Sequence, residues 1–120
     1  MNILIAEDDD MLQKLMDICM DILEWDYTLV ENGVQAVNEC KTSNFDAILM
    51  DIYMPVLNGI EAAKQIRIFN KVTPIIGVSS QIDYYTQIEC AKAGINGFLA
   101  KPFTEDEIRE SVTKLVAAVL

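Results

Sequence analysis

Short apolar runs alternate along the chain with longer segments in which apolar residues recur every three or four positions. Each run is four to six residues long, and turn-forming or charged residues bound most of them, which is typical of strands. The pattern predicts five strands, at Asn2–Ala6, Tyr27–Glu31, Phe45–Met50, Pro74–Ser79 and Gly97–Ala100.

The segments between these runs have helical periodicity. In the first of them, Leu12, Leu15 and Cys19 fall on one face. Near the end of the chain, Thr104 and Glu107 have the spacing of a capping box, which marks the start of a helix. The pattern predicts five helices, at Asp10–Glu24, Gly33–Lys41, Gly59–Phe69, Asp83–Ala93 and Thr104–Val119.

Three of the predicted strands are continuous apolar runs, without the polar alternation of a half-exposed strand. Strands of this kind are covered on both faces, which indicates an α/β fold with a parallel sheet between two layers of helices. Right-handed crossovers then bring the carboxyl ends of all strands to one edge. Binding sites of open α/β sheets lie at that edge.

Composition limits the classes of partner. The 120 residues suit one domain, 52% of them are hydrophobic, and the net charge is −10 with no cluster of Lys or Arg. Because contact with nucleic-acid phosphates needs a basic patch, we expect no direct binding to nucleic acid. No apolar run approaches the roughly 18 residues of a membrane span, and no signal peptide precedes the first strand.

These features predict a cytoplasmic protein that does not contact a membrane. The start at Met1 favours a stand-alone or N-terminal domain, and we expect residues 1–120 to form one domain with no output domain after it. The chain has no histidine, which excludes imidazole catalysis, zinc sites with His ligands and phosphorylation on His. Its three cysteines are far apart, as expected for reduced thiols: Cys19, Cys40 and Cys90.

Polar residues follow four of the predicted strands. Glu7 and Asp8 come after the first, Asp51 after the third and Lys101 after the fifth, while Ser79 ends the fourth. Converging carboxylates repel one another, and Mg²⁺ relieves this because it prefers oxygen ligands. We therefore expect Mg²⁺ on the acids, with Lys101 and Ser79 facing a phosphoryl group. Asp51 is then the nucleophile, because carboxylates form aspartyl phosphates.

Four segments carry a family resemblance: ILIAEDD (3–9), ILMDIYMPVLNG (48–59), PIIGVSS (74–80) and FLAKPF (98–103). In this order and spacing they resemble the receiver domains of bacterial response regulators and hybrid kinases, over essentially the whole chain. The resemblance implies a flavodoxin-like (βα)₅ fold. Its five-stranded parallel sheet would have the order 2-1-3-4-5, with helices on both faces.

The resemblance also implies a role for each matching residue. Asp51 is expected to be the phosphoacceptor, Asp8 a direct Mg²⁺ ligand and Glu7 a ligand acting through water. The backbone carbonyl of Tyr53 would be a further Mg²⁺ ligand. Lys101 would contact the phosphoryl group, and the peptide bond between it and the following proline is expected to be cis.

A histidine kinase or a histidine phosphotransfer protein would donate the phosphoryl group. The resemblance implies that the Ser79 hydroxyl then moves toward it and that Phe98 rotates. The surface of the fourth helix, fifth strand and fifth helix would change and control a downstream protein or output domain. Such a protein is a signalling module that catalyses only its own phosphorylation and dephosphorylation. It would be a monomer or a phosphorylation-linked dimer.

The first helix offers a second surface. Its apolar residues span roughly 200° at about 100° per residue, which is wider than a core stripe needs. One interpretation is a helix wedged between neighbours. The other is a docking patch for the phosphoryl donor, formed by Met11, Ile18 and Met20, because Met suits adaptable interfaces.

Other functions fit the same residues less well. Phosphatases with an aspartyl nucleophile carry it after the first strand, whereas Asp51 follows the third. An FMN-binding flavodoxin-like protein would need a Gly- and hydroxyl-rich loop where residues 7–10 are all acidic. A receiver-shaped interaction module that acts without phosphorylation remains the alternative. Within the acidic run, Asp9 and Asp10 are best interpreted as solvated residues at a helix N-terminus.

Overall fold

The computed structural model describes residues 1–119, in which five strands alternate with five helices. The strands are β1 (Asn2–Ala6), β2 (Asp26–Val30), β3 (Ala47–Asp51), β4 (Ile75–Ser79) and β5 (Gly97–Ala100). The helices are α1 (Asp10–Leu23), α2 (Gly33–Thr42), α3 (Gly59–Phe69), α4 (Tyr84–Lys92) and α5 (Glu105–Val119). Every predicted element is present, with bounds that differ by at most two residues at either end.

The strands form one parallel sheet in the order β2-β1-β3-β4-β5. The predicted flavodoxin-like order is therefore confirmed. Residues of β3 and β4 are buried throughout, because helices cover both faces of these central strands. The edge strand β2 is mostly half-buried, which explains why its sequence is less uniformly apolar.

Successive residues of each strand contribute to two separate cores. Leu4 and Ile48 face a cluster shared with α2, α3 and α4. Their neighbours Ile3 and Leu49 face a second cluster, shared with α1 and α5. Since adjacent strand residues point to opposite faces, a strand buried on both sides must be apolar at every position.

Polar side chains fix where the helices begin. The α5 helix starts with the predicted capping box, in which Thr104 Oγ1 accepts from the Glu107 backbone N–H and Glu107 Oε1 accepts from the Thr104 N–H, each at 3.2 Å. The other four helices start after an Asp or Asn side chain that accepts a backbone hydrogen bond three residues on: Asp9, Asn32, Asn58 and Asp83. The helix predicted to include Asp83 therefore begins one residue later, since a capping residue lies outside the helix.

The three cysteines are buried and free. Burial raises the pKa of Cys40 to about 11 and also raises the pKa of Cys19 and Cys90. A raised thiol pKa disfavours the reactive thiolate, so these residues act as small apolar core side chains. Within residues 1–119, no helix is both long and apolar enough to cross a membrane.

Helix α1 ends at a strained residue. Glu24 has φ 59° and ψ 38°, the left-handed conformation that glycine adopts without steric cost. Glu24→Gly should therefore raise the free energy of unfolding by about 0.5–1 kcal/mol, measured by urea denaturation. Glu24→Gln removes the charge but keeps the strain. If both variants raised the free energy of unfolding equally, loss of the Glu24 charge rather than relief of backbone strain would be the cause.

Candidate functional site

Three carboxylates meet at the carboxyl edge of the sheet. Asp51 ends β3, and Glu7 follows the neighbouring strand β1, with Ala6 paired to Met50 in register. The next residue, Asp8, is exposed on the same loop. One carboxylate oxygen from each of the three acids lies within 4.8 Å of the others. Parallel pairing of β1 and β3 therefore brings together acids that are more than forty residues apart.

Lys101 supplies the positive charge of this cluster from the end of β5. Its Nζ lies 3.2 Å from Asp51 Oδ2 and 3.3 Å from Glu7 Oε1. Burial lowers the pKa of Lys101, but attraction to Asp51 and Glu7 outweighs it, so the net shift is upward. The Lys101 backbone N–H also donates to the Ser79 carbonyl at 3.0 Å. One ammonium group thus joins the ends of three different strands.

Glu7 is the most buried acid of the cluster. Burial, followed by a side-chain hydrogen bond with Asp51, raises the pKa of Glu7 to about 7. The Asp9 backbone N–H, which donates to Glu7 Oε2 at 3.1 Å, and the charge of Lys101 oppose this shift. The raised pKa of Glu7 is therefore mainly the consequence of burial, and the neighbouring Asp51 adds to it.

The loop after β3 holds Asp51 in place. The Tyr53 backbone N–H donates to Asp51 Oδ1 at 3.1 Å. The Gly59 N–H donates to the Ile52 carbonyl at 2.9 Å, and a Cβ built on Gly59 would lie 2.2 Å from the Asp51 carbonyl oxygen. Only glycine therefore lets the start of α3 pack this closely behind Asp51.

The donor set of the cluster fits a hard divalent cation. All three acids offer oxygen ligands, and exposure of Asp8 leaves one side open to water. Mg²⁺ binds in this way, through a few carboxylates together with retained waters. Glu7, Asp8 and Asp51 are the residues that could hold it. The Tyr53 carbonyl as a further ligand stays a prediction.

Ser79 lies at the same edge but faces its own loop. Its Oγ donates to the Gln81 carbonyl at 3.2 Å and accepts from the Gln81 N–H at 3.1 Å. Phe98 lies within β5, paired with Gly77, and is half-buried against the core shared with α2, α3 and α4. The Lys101–Pro102 peptide bond is cis, as predicted.

The family model of the response regulator receiver domain matches residues 3–113. The chain belongs to this family. Among curated relatives, the chemotaxis protein CheY of Halobacterium salinarum is 30% identical over 119 residues, which cover 97% of each protein. The transcription factor SKN7 of Candida albicans is 32% identical over 113 residues, or 94% of this chain.

Solved receiver structures have the same fold. The receiver domain of the sensor histidine kinase PA1611 from Pseudomonas aeruginosa, solved with a magnesium ion in its active-site cleft, gives a TM-score of 0.90 at 33% identity, over 97% of both chains. A second solved structure is the receiver domain of Ssk1 from Saccharomyces cerevisiae in complex with the histidine phosphotransfer protein Ypd1. Its TM-score is 0.90 at 29% identity. That match covers 100% of this chain and 92% of the other.

Many relatives are much longer than this receiver domain. The chain spans 20% of SKN7 and 48% of the response regulator ArlR from Staphylococcus saprophyticus. Receiver domains therefore occur both as most of a small protein and as one part of a large one.

Only two of the three residues in the predicted docking patch on α1 are exposed. Met11 and Ile18 are 80% and 55% exposed, but Met20 is fully buried between α1 and the sheet. The inclusion of Met20 was wrong because two residues turn a helix by about 200°, which puts Met20 on the face opposite Ile18. Ile22 is exposed instead and lies one turn beyond Ile18. Asp9 caps the helix, as its interpretation as an N-terminal residue required.

The sequence analysis did not predict a role for Gln13 at the site. Its Nε2 donates to the Glu7 carbonyl oxygen at 2.7 Å, and its backbone N–H donates to the Asp9 carbonyl at 2.9 Å. Gln13 therefore fixes, from the first turn of α1, the loop that carries the acids. Its position five residues after Asp8, on the helix side facing the loop, was the only available signal.

The Gln13 contact predicts a change in metal affinity. Mg²⁺ should raise the melting temperature of the receiver by several degrees, and Gln13→Met should reduce this increase, with about tenfold weaker affinity. Methionine keeps the length and helix propensity of Gln but has no amide donor. Thermal denaturation with and without Mg²⁺ measures both quantities.

Gln65→Met makes the same chemical change on an exposed face of α3 and is the matched control. All three proteins should melt within a few degrees of one another without metal. An unchanged Mg²⁺ effect in Gln13→Met would show that the contact does not hold the acidic loop.

Proposed function

We propose that this receiver is a Mg²⁺-dependent phosphoacceptor of two-component or phosphorelay signalling. Asp51 takes the phosphoryl group from a histidine kinase or a histidine phosphotransfer protein. The observation that carries the proposal is the cluster of Glu7, Asp8 and Asp51 around Lys101 at the carboxyl edge of the sheet. The complex of the related Ssk1 receiver with a phosphotransfer protein supports this class of donor.

The transfer follows from the position of Asp51. A carboxylate oxygen of Asp51 attacks the phosphorus of phosphohistidine, and the new O–P bond forms as the P–N bond breaks. The electron pair of the broken bond stays with the imidazole nitrogen. Lys101, already 3.2 Å from Asp51, stabilises the charge on the phosphoryl oxygens. A bound Mg²⁺ would supply further positive charge to those oxygens.

The groups that promote transfer all belong to the receiver. It therefore catalyses its own phosphorylation and dephosphorylation, as a signalling module rather than an enzyme with a separate substrate. We place it in the cytoplasm, acting as a monomer or a phosphorylation-linked dimer without direct contact with nucleic acid. The alternative is a receiver-shaped interaction module that acts without phosphorylation.

Ser79 and Phe98 form the proposed switch. The Ser79 hydroxyl is held by Gln81, so it must leave that partner to donate to a phosphoryl oxygen on Asp51. Its movement shifts the loop after β4. The half-buried ring of Phe98 can then move inward, changing the surface of α4, β5 and α5 that controls a downstream protein.

Intact mass spectrometry tests the acceptor. Incubation with acetyl phosphate and Mg²⁺ should add one phosphoryl group to the wild-type chain. Asp51→Asn should add none, because an amide does not form the acyl phosphate. A chelator should abolish the addition in the wild type. A folded wild-type chain that gains no mass with several donors would favour the interaction module.

The switch predicts different behaviour for two adjacent serines. Ser79→Ala should still be phosphorylated, but the amide shifts of β5 and α5 should no longer respond to phosphorylation, as followed by NMR. Ser80→Ala is the matched control, because Ser80 is exposed and its side chain makes no hydrogen bond within residues 1–119. A full response in Ser79→Ala would rule out the hydroxyl as the trigger.

The exposed residues of α1 are proposed to dock the donor. Ile18→Glu should slow transfer from a phosphorylated histidine phosphotransfer protein by about tenfold or more, through loss of apolar contact. Phosphorylation by acetyl phosphate should keep its rate, because the small donor needs no docking. Val34→Glu, on exposed α2, is the control. If Ile18→Glu slowed phosphorylation by the phosphotransfer protein and by acetyl phosphate equally, the substitution would act on the Asp51 site and not on a docking surface.

A further inference from the structure

A groove lies between α2 and α3 on the side of the sheet opposite α1 and α5. Its lining is formed by Val37, Lys41, Gln65, Ile68 and Phe69, and its volume is about 250 Å³. Both helices run antiparallel to the strands, so their last turns lie at the amino edge of the sheet. The groove is therefore remote from Asp51 and from the proposed switch.

The end of α3 exposes large apolar side chains. Ile68, which is 78% exposed, and Phe69, which is 43% exposed, both line the groove. Val72 follows in the loop after α3 and is 67% exposed. Scattered single apolar residues on a surface need no explanation, but these three lie within five consecutive positions. No other part of residues 1–119 covers them.

The same face has the opposite charge to the rest of the chain. The net charge of the protein is −10, yet segment 59–73 carries Lys64, Arg67 and Lys71 against the single acid Glu61. In α2, Lys41 adds a positive charge to the groove wall and Glu39 is the one acid, so the two helices still carry more basic than acidic groups. Lys64 pairs with Glu61, and Arg67 donates to the Gly94 carbonyl.

On this face, Lys41 and Lys71 are the two basic groups free to pair with a partner. Neither makes an ion pair with any carboxylate of residues 1–119. Lys71 only donates to the Arg67 carbonyl, at 3.2 Å on the surface.

We propose that this α2–α3 face, defined by Lys41, Ile68 and Phe69 at the groove and by Lys71 and Val72 in the loop after α3, docks an acidic amphipathic helix of a partner protein. An apolar stripe on that helix would cover the exposed strip and place one side chain in the groove. Acidic residues beside the stripe would pair with the two lysines. Helix-in-groove recognition combines these two elements.

Charge favours an acidic helix over a membrane, a nucleic acid or a second copy of the chain as the partner on this face. A membrane with anionic lipids and a nucleic acid would both meet a protein of net charge −10, and repulsion from the remaining surface opposes their approach. A second copy that paired face to face would bring Lys41 and Lys71 close to the same lysines of its partner, where like charges repel. A second copy that used a different surface would form open chains unless the rotation closes. A short acidic helix is small enough to meet the basic face alone.

An NMR titration tests the proposal with defined probes. The ¹⁵N-labelled chain is titrated with a synthetic helical peptide of about 18 residues, which carries Leu and Phe on one stripe and Glu on both flanks. Amide shifts should concentrate at the α2–α3 face. A matched peptide with every Glu replaced by Lys should bind at least about tenfold more weakly.

Variants assign the binding to this face. The double variant Lys41→Glu with Lys71→Glu should lower the affinity for the acidic peptide by about tenfold. Ile68→Ser should lower this affinity to a similar extent. Lys92→Glu with Lys114→Glu makes the same change in net charge on α4 and α5 and should leave binding unchanged. Circular dichroism confirms that each variant is folded. Asp51→Asn should bind normally, since docking does not depend on phosphoryl transfer.

Several results would overturn the proposal. One is equal binding of the Glu and Lys peptides, and another is amide shifts outside the α2–α3 face. A third is no binding of the peptide by a chain that does bind vesicles of phosphatidylcholine and phosphatidylserine, which would identify a membrane surface. Concentration-dependent association that Ile68→Ser abolishes, measured by sedimentation without peptide, would identify a second copy as the occupant.

Discussion

The repulsion between Glu7 and Asp51, two buried carboxylates that share the ammonium group of Lys101, is the constraint around which the carboxyl edge is built. Burial raises the pKa of Glu7, and the hydrogen bond with Asp51 adds to this shift. One lysine cannot neutralise two acids, and a third, Asp8, stands beside them. The site is therefore suited to further positive charge, which a divalent cation would supply.

The parallel sheet makes such a cluster possible. Because β1, β3 and β5 are parallel, the residues that follow them lie at one edge of the sheet. Strand pairing therefore brings the acids close together without contacts within their own loops. The surrounding backbone then sets finer positions. Gly59 lets α3 pack against the Asp51 carbonyl, and Gln13 holds the loop of Glu7.

The molecule presents surfaces of different chemistry on its separate sides. The carboxyl edge is acidic, α1 exposes Met11, Ile18 and Ile22, and the far ends of α2 and α3 combine apolar and basic groups. Such separation would allow the proposed phosphoryl transfer, switching and docking to use different surfaces of one small domain. Their differences in charge would favour a different partner on each surface.

The sequence by itself determined the ten elements, their α/β class and the acids, serine and lysine at the strand ends, because periodicity and strand-end position depend only on the order of residues. The strand order came from the family resemblance. Tertiary packing alone decided the rest. It buried Met20 while exposing Ile18, since a broad apolar stripe does not say which side meets the sheet. It also placed Gln13 on the Glu7 carbonyl, because such a contact depends on how helix, loop and strand fit together.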